Sequence, residues 1–211
     1  MITIALQKSE QYLRQTYRKI LFSRARIFHN YIFIHINKTG GTSVEKALGL
    51  PLIHKTALEY KTEIGNIRWQ EQFSFAIIRN PWDKIASQYH YRSMINKTQL
   101  KKTPVPFNDW VKWVFVDQNP NYYDDPKMFA PQVDWLTDLE GNNLVDFVGR
   151  FENLHNDWHI ICEKINRQGA KLPHVKKSSK TDYRSYYNTE SISIIADWFV
   201  KDTDKFSYSF D

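Results

Sequence analysis

Along the chain, short apolar runs of strand length alternate with longer segments whose apolar residues recur every three or four positions. Residues 31–36 (YIFIHI) and 73–78 (FSFAII) are dense enough to be buried strands, and 144–148 reads as another. Residues 52–54 fit a further short strand. Helices are expected to start over 42–48, from the Thr56/Glu59 capping-box pair toward Gly65, and from Pro81 to about residue 95. More are expected over 107–116, 152–168 and 189–201. Between them lie a Lys- and Pro-rich loop (96–106), a turn-rich acidic connection (119–131) and a basic loop (171–183). Strands that alternate with helices in this way predict an α/β fold with a mainly parallel sheet.

Composition narrows the picture. At 42% hydrophobic and 15% aromatic, the chain can bury a core, which excludes disorder as a class. The 211 residues suit one domain with small additions. A lone Cys162 rules out an intrachain disulfide and a multi-cysteine zinc site, and its apolar helical setting reads as core. No apolar run nears the ~20 residues that span a bilayer.

The formal charge of +6 invites a nucleic-acid reading until it is located. Residues 1–30 hold Lys8, Arg14, Arg18, Lys19, Arg24 and Arg26 against Glu10 alone, so the remaining 181 residues carry a net charge of only +1. Within that body, 117–157 is acidic. Lys171, Lys176, Lys177, Lys180 and Arg184 make 171–184 basic. The chain therefore divides into a leader, 1–30, and a single domain, 31–211, with no nucleic-acid partner expected. Leu13, Tyr17, Ile20, Leu21 and Phe28 lie at helical spacing and make the leader an amphipathic basic helix. Such a helix packs on its own domain or makes peripheral contact with an anionic membrane surface. It lacks the apolar core of a secretory signal, so a cytoplasmic location is expected.

Two segments end a strand with chemistry. In residues 35–43 (HINKTGGTS) a strand runs into Lys38, two glycines and two hydroxyl residues, then a helix. Glycines allow a tight turn and close ligand approach, and a helix N-terminus favours an anion. Lys38 adds positive charge. The order differs from a Walker A loop, in which lysine follows the glycines. Alone, the segment is equally an ordinary Gly-Gly turn. In residues 76–92 (AIIRNPWDKIASQYHYR), Arg79 stands at a strand end and Ser87 about two helical turns later, so both can converge on one anion. Alone, Arg79 is equally a helix cap or a partner of Asp83.

Taken together, residues 38–43 and 79–89 resemble the sulfotransferases that use PAPS (3′-phosphoadenosine-5′-phosphosulfate), in particular the family that includes bacterial and Golgi carbohydrate sulfotransferases. HKTALEY at 54–60, VGRFENL at 148–154, DYRSYY at 182–187 and FSYSF at 206–210 carry the likeness over roughly 31–211. The resemblance implies a three-layer α/β/α, P-loop-NTPase-like fold and sulfuryl transfer from PAPS to a hydroxyl, on a carbohydrate, with release of PAP. It implies that Lys38, Thr39, Gly40, Gly41, Thr42 and Ser43 hold the 5′-phosphosulfate and that Arg79 and Ser87 hold the 3′-phosphate. Lys38 would also stabilise the departing oxygen. No metal is expected.

The acceptor needs a general base. His54 is first choice, because it ends a short apolar run on the active edge and has the right unperturbed pKa. His90 is second, with Glu59 and Glu63 as further candidates. Asn37 stands where many relatives have Pro, and Lys84 where Arg is common. His155 and His159 have helical zinc spacing, but Asn156 replaces the glutamate a metalloprotease requires, so they read as surface residues. Trp110 and Trp113 read as core that could still line an acceptor groove, and the basic loop with Tyr183 and Tyr187 as a segment that could close over ligand. The competing readings are a P-loop-type kinase, which lacks its GK[ST] triplet, and a non-enzymatic polyanion-binding module. The near-neutral body argues against the second. Acceptor identity and oligomeric state are not encoded in any motif.

Overall fold

The computed structural model describes residues 30–173 and 182–211. The leader helix, its membrane contact, and Lys176, Lys177 and Lys180 of the basic loop lie outside the described residues. Among the described residues three strands form one parallel sheet in the order β1 (Tyr31–Ile34), β2 (Phe73–Ile78) and β3 (Phe147–Arg150). Tyr31 pairs with Phe73, and Phe75 with Phe147.

The two-residue period of the strands sorts the layers. Ile32, Ile34, Ala76 and Ile78 face one way and pack with α2 (Ala57–Ile64), α3 (Asn66–Gln70) and α6 (Val133–Leu136) through Ala57, Tyr60, Trp69, Trp135 and Leu136. Tyr31, Phe33, Phe75 and Ile77 face the other way. They meet Val44 and Leu48 of α1 (Gly41–Leu48) and Trp158, Ile161 and Cys162 of α7 (Leu154–Lys164). The result is the three-layer α/β/α fold expected. A separate apolar cluster lies beside the sheet. It joins α4 (Pro81–Met94), α5 (Phe107–Phe115) and α8 (Thr189–Trp198) around Trp110, which is fully buried and therefore core.

Local chemistry sets the boundaries. The Thr56/Glu59 capping box starts α2 as expected, and Asn80 caps α4 ahead of Pro81 at the first helical position. Three expectations need correction. Residues 52–54 are not a strand, because the Ile53 N–H donates to Glu45 Oε1 (3.2 Å) instead of a ladder. The third strand falls at Phe147–Arg150 rather than 144–148, since Leu144 donates its N–H to the Leu136 carbonyl. The final helix is two helices, α8 and α9 (Val200–Phe206), broken at Phe199. Phe199 is drawn into the aromatic cluster while Asp202, three residues on, is buried against Gln132 and Val133. Among the described residues no helix is long and apolar enough to cross a membrane.

Candidate active site

The loop after β1 places its chemistry by backbone strain. Lys38 adopts φ +66° and Gly40 φ +84°, both in the left-handed region. That conformation costs a lysine about 1 kcal/mol or more, a strain characteristic of functional turns. Thr39, fully buried, ties the turn by donating Oγ1–H to the Ile36 carbonyl (2.9 Å). Gly41 begins α1, and a Cβ there would overlap the His35 imidazole, so only glycine fits. No acidic side chain and no side-chain cap occupies the first turn of α1, which leaves its N-terminus open to an anion. Thr42 and Ser43 are half-buried beside it.

Arg79 lies just past the end of β2 and is 5% exposed. Its Nε and Nη2 donate to the two carboxylate oxygens of Asp83 (2.7 Å each), and Nη1 donates to the Lys38 carbonyl (3.0 Å). The guanidinium also stacks over Phe151, 4.1 Å from the ring centroid. Pairing with Asp83 is thus its arrangement here. Three of the five N–H groups of a guanidinium are engaged, and two remain for a ligand. Because Nη1 reaches Lys38, the two motifs meet directly across 41 residues of sequence.

Lys38 Nζ makes no hydrogen bond among the described residues and rests over the Tyr91 ring, 4.1 Å from its centroid. Burial, reinforced by the Arg79 charge, pulls its pKa down to about 8. Asp83, Ser87 and Tyr91 are spaced by four on α4, so they share one face. Asp83 is held by Arg79 and Tyr91 lies under Lys38, which puts the half-buried Ser87 between the two cations. Lys84 is fully buried, with its Nζ 5.3 Å from the centroid of the Phe199 ring.

His54 sits beside this edge. Its Nδ1–H donates to the His35 carbonyl (2.9 Å), which leaves Nε2 as the unprotonated nitrogen. Burial and the neighbouring His35 lower its pKa, so it is neutral at pH 7. His35, not singled out in the sequence, lies beside it. Its ring is 4.3 Å from that of His54, and its Nδ1–H donates to Glu45 Oε1 (2.7 Å). Glu45, buried on α1, therefore binds both His35 and the backbone just before His54. A buried acid on the apolar face of α1, four residues after Gly41, was the available signal.

The other base candidates are otherwise engaged. The His90 ring packs against Tyr89 and Tyr186, and its Nε2 is buried with no partner among the described residues. Glu59 closes the capping box and pairs with Lys127 (2.5 Å), while Glu63 pairs with Lys55. Lys127 also donates to the His54 carbonyl (3.1 Å).

The C-terminal segment straps the end of β2. Asn80 donates its backbone N–H to Glu152 Oε1 (2.6 Å) and its Nδ2 to the Ser209 carbonyl (2.7 Å). Tyr208 donates to Glu152, Tyr187 to the Trp82 carbonyl, and Tyr183 to the Phe210 carbonyl. Tyr187 thus braces the start of α4, and Tyr183 ties the 182–187 segment to the C-terminus. His155 and His159 are exposed on α7 with their rings edge to face, and Cys162 is core. No group of three His, Cys, Asp or Glu suited to a metal occurs among the described residues.

Adjacent strand ends of the α/β sheet thus carry a glycine turn with an uncommitted lysine and a clamped arginine. The model of the sulfotransferase family matches residues 27–209, and the chain belongs to that family. It is accordingly a PAPS-dependent enzyme of sulfuryl transfer. An uncharacterised protein of Archaeoglobus fulgidus is 25% identical over 126 residues, covering 59% of this chain and 92% of that relative. No solved structure matches.

Proposed function

We propose that residues 31–211 transfer the sulfuryl group of PAPS to a carbohydrate hydroxyl in the cytoplasm, with the donor held across the Lys38 loop and Arg79. The observation that supports this reading is the hydrogen bond from Arg79 Nη1 to the Lys38 carbonyl, because it joins the two segments proposed to hold the donor's two anionic groups. A donor with a 5′-phosphosulfate and a separate 3′-phosphate needs two such sites.

The bound donor supplies the sulfuryl group, whose sulfur gains a bond to the acceptor oxygen as its bond to the bridging phosphate oxygen breaks. The α1 N-terminus, with Thr42 and Ser43, holds the 5′-phosphate. Lys38 Nζ, poorly solvated and free of hydrogen bonds among the described residues, meets the charge that gathers on the departing oxygen. Arg79 and Ser87 hold the 3′-phosphate. His54 Nε2 takes the acceptor proton; its tautomer is already set by the Nδ1–H bond to His35. The segments 96–106 and 117–131 shape the acceptor groove.

Titration calorimetry with PAP and with adenosine 5′-phosphate tests the donor assignment. Saturable binding with a strong preference for PAP is expected, and equal, weak binding of both would refute it. Turnover of labelled PAPS against a panel of glycans, lipids and phenols tests the carbohydrate assignment, which fails if only lipids or phenols accept label.

A further inference from the structure

The Arg79 backbone is held from behind by one buried side chain. Gln132, fully buried, accepts the Arg79 N–H at Oε1 (2.9 Å) and donates Nε2–H to the Arg79 carbonyl (2.8 Å). A single amide thus pairs both backbone groups of one residue, as a neighbouring strand would. The position calls for this, because the pairing of β2 with β3 ends at Ile78–Arg150 and Arg79 lies one residue beyond. Left unpaired there, two buried backbone groups would each carry the desolvation cost of an unmade hydrogen bond.

The amide is oriented in turn by Asp202 of α9. One oxygen, Oδ2, accepts from Gln132 Nε2 (3.1 Å) and from the Gln132 backbone N–H (2.9 Å), and Oδ1 accepts from the Val133 N–H (2.9 Å). Asp202 is fully buried, and the charge of the buried Lys84 acts on it. With an acceptor-only carboxylate on that side, Gln132 can present only its NH₂ to Asp202, and the amide cannot flip. Asp83 grips the guanidinium in front while Gln132 and Asp202 fix the backbone behind.

We infer that Gln132 and Asp202 are positioning residues for donor selection: they fix the Arg79 backbone so that its two remaining N–H groups are aimed at the 3′-phosphate. This rests on the assignment of Arg79 to that phosphate. A misaimed charged hydrogen bond should weaken PAP binding by about ten- to a hundredfold. Binding of adenosine 5′-phosphate, which has no 3′-phosphate, should not change.

The test is PAP and adenosine 5′-phosphate affinity measured by calorimetry on wild type, Arg79→Ala, Gln132→Met, Asp202→Asn and the Gln132→Met/Asp202→Asn double variant, each checked for folding by circular dichroism. Methionine keeps the volume of Gln132 and removes both bonds. Asparagine offers one acceptor oxygen where the carboxylate offers two, so an NH₂ must face either Gln132 or the Val133 N–H, and the hold on the Gln132 amide is lost or loosened. The expected result is that both single variants lose the PAP preference, keep adenosine 5′-phosphate affinity, and show no further loss when combined. Retained preference in a folded Gln132→Met protein overturns the inference, as does an equal fall in both affinities. If Gln132→Met does not fold, Asp202→Asn is judged by the same two criteria. If Arg79→Ala keeps the PAP preference, the donor assignment itself fails, and the inference falls with it.

Discussion

The two cations of the site are held in opposite ways. Arg79 is gripped at both oxygens of Asp83, at the Lys38 carbonyl, over the Phe151 ring and along its own backbone by Gln132. Lys38 lies 41 residues earlier and is joined to Arg79 by one hydrogen bond, yet among the described residues its Nζ has only the face of Tyr91. A permanent charge that recognises a permanent phosphate gains from rigidity, since each donor is already aimed before binding. A group that must answer charge appearing during reaction gains from being poorly solvated and uncommitted, because any prior hydrogen bond would have to be given up. The difference predicts that the arginine acts on affinity and the lysine on rate.

The largest test of that division is Lys38→Ala. Turnover should fall by about 10²–10³-fold, the scale for removing a donor aimed at developing charge, while the PAP Kd changes several-fold at most. Single-turnover rates beside calorimetric Kd values check it. A loss confined to Kd would erase the contrast with Arg79.

How much of this contrast was legible beforehand depends on distance along the chain. The strand at Phe73–Ile78, the Thr56/Glu59 cap and the helix from Pro81 are local patterns, and each falls where propensity and capping chemistry put it. Lys38 and Arg79 were found because each follows a strand in a short motif. Their partners were not. Gln132 is 53 residues from Arg79 and Asp202 is 70 from Gln132, and no spacing rule links them. Residues 52–54 misled for the same reason: an apolar run reads as strand, while the actual partner of Ile53 is a carboxylate on α1. Phe199 broke the last helix because tertiary burial outweighed helix propensity.

The pH profile tests the lysine from another side, with an effect of about tenfold per unit. Burial and Arg79 hold the Lys38 pKa near 8 in the free enzyme. Above that value the ammonium loses its proton, so kcat/KM should decline as pH rises past 8. His54 must be neutral to accept a proton, and its pKa lies below the usual 6.5, so the acid limb should fall only below that pH. Lys38→Arg should move the alkaline limb out of range, because a guanidinium stays charged. An alkaline limb unchanged by this substitution would assign the titration to another group.

Ser87 gives the smallest and sharpest probe, because it stands on the α4 face between the two cations. A neutral hydroxyl hydrogen bond is worth about 1 kcal/mol, so Ser87→Ala should weaken PAP binding by about fivefold. If the hydroxyl belongs to the Arg79 side, the loss appears in the PAP Kd, disappears with adenosine 5′-phosphate, and leaves single-turnover rate at saturating donor unchanged. If it belongs to the Lys38 side, the rate falls and the ratio of the two affinities is preserved. Either result assigns Ser87 to one cation, and an effect split evenly between rate and affinity would mean that the two sites act as one.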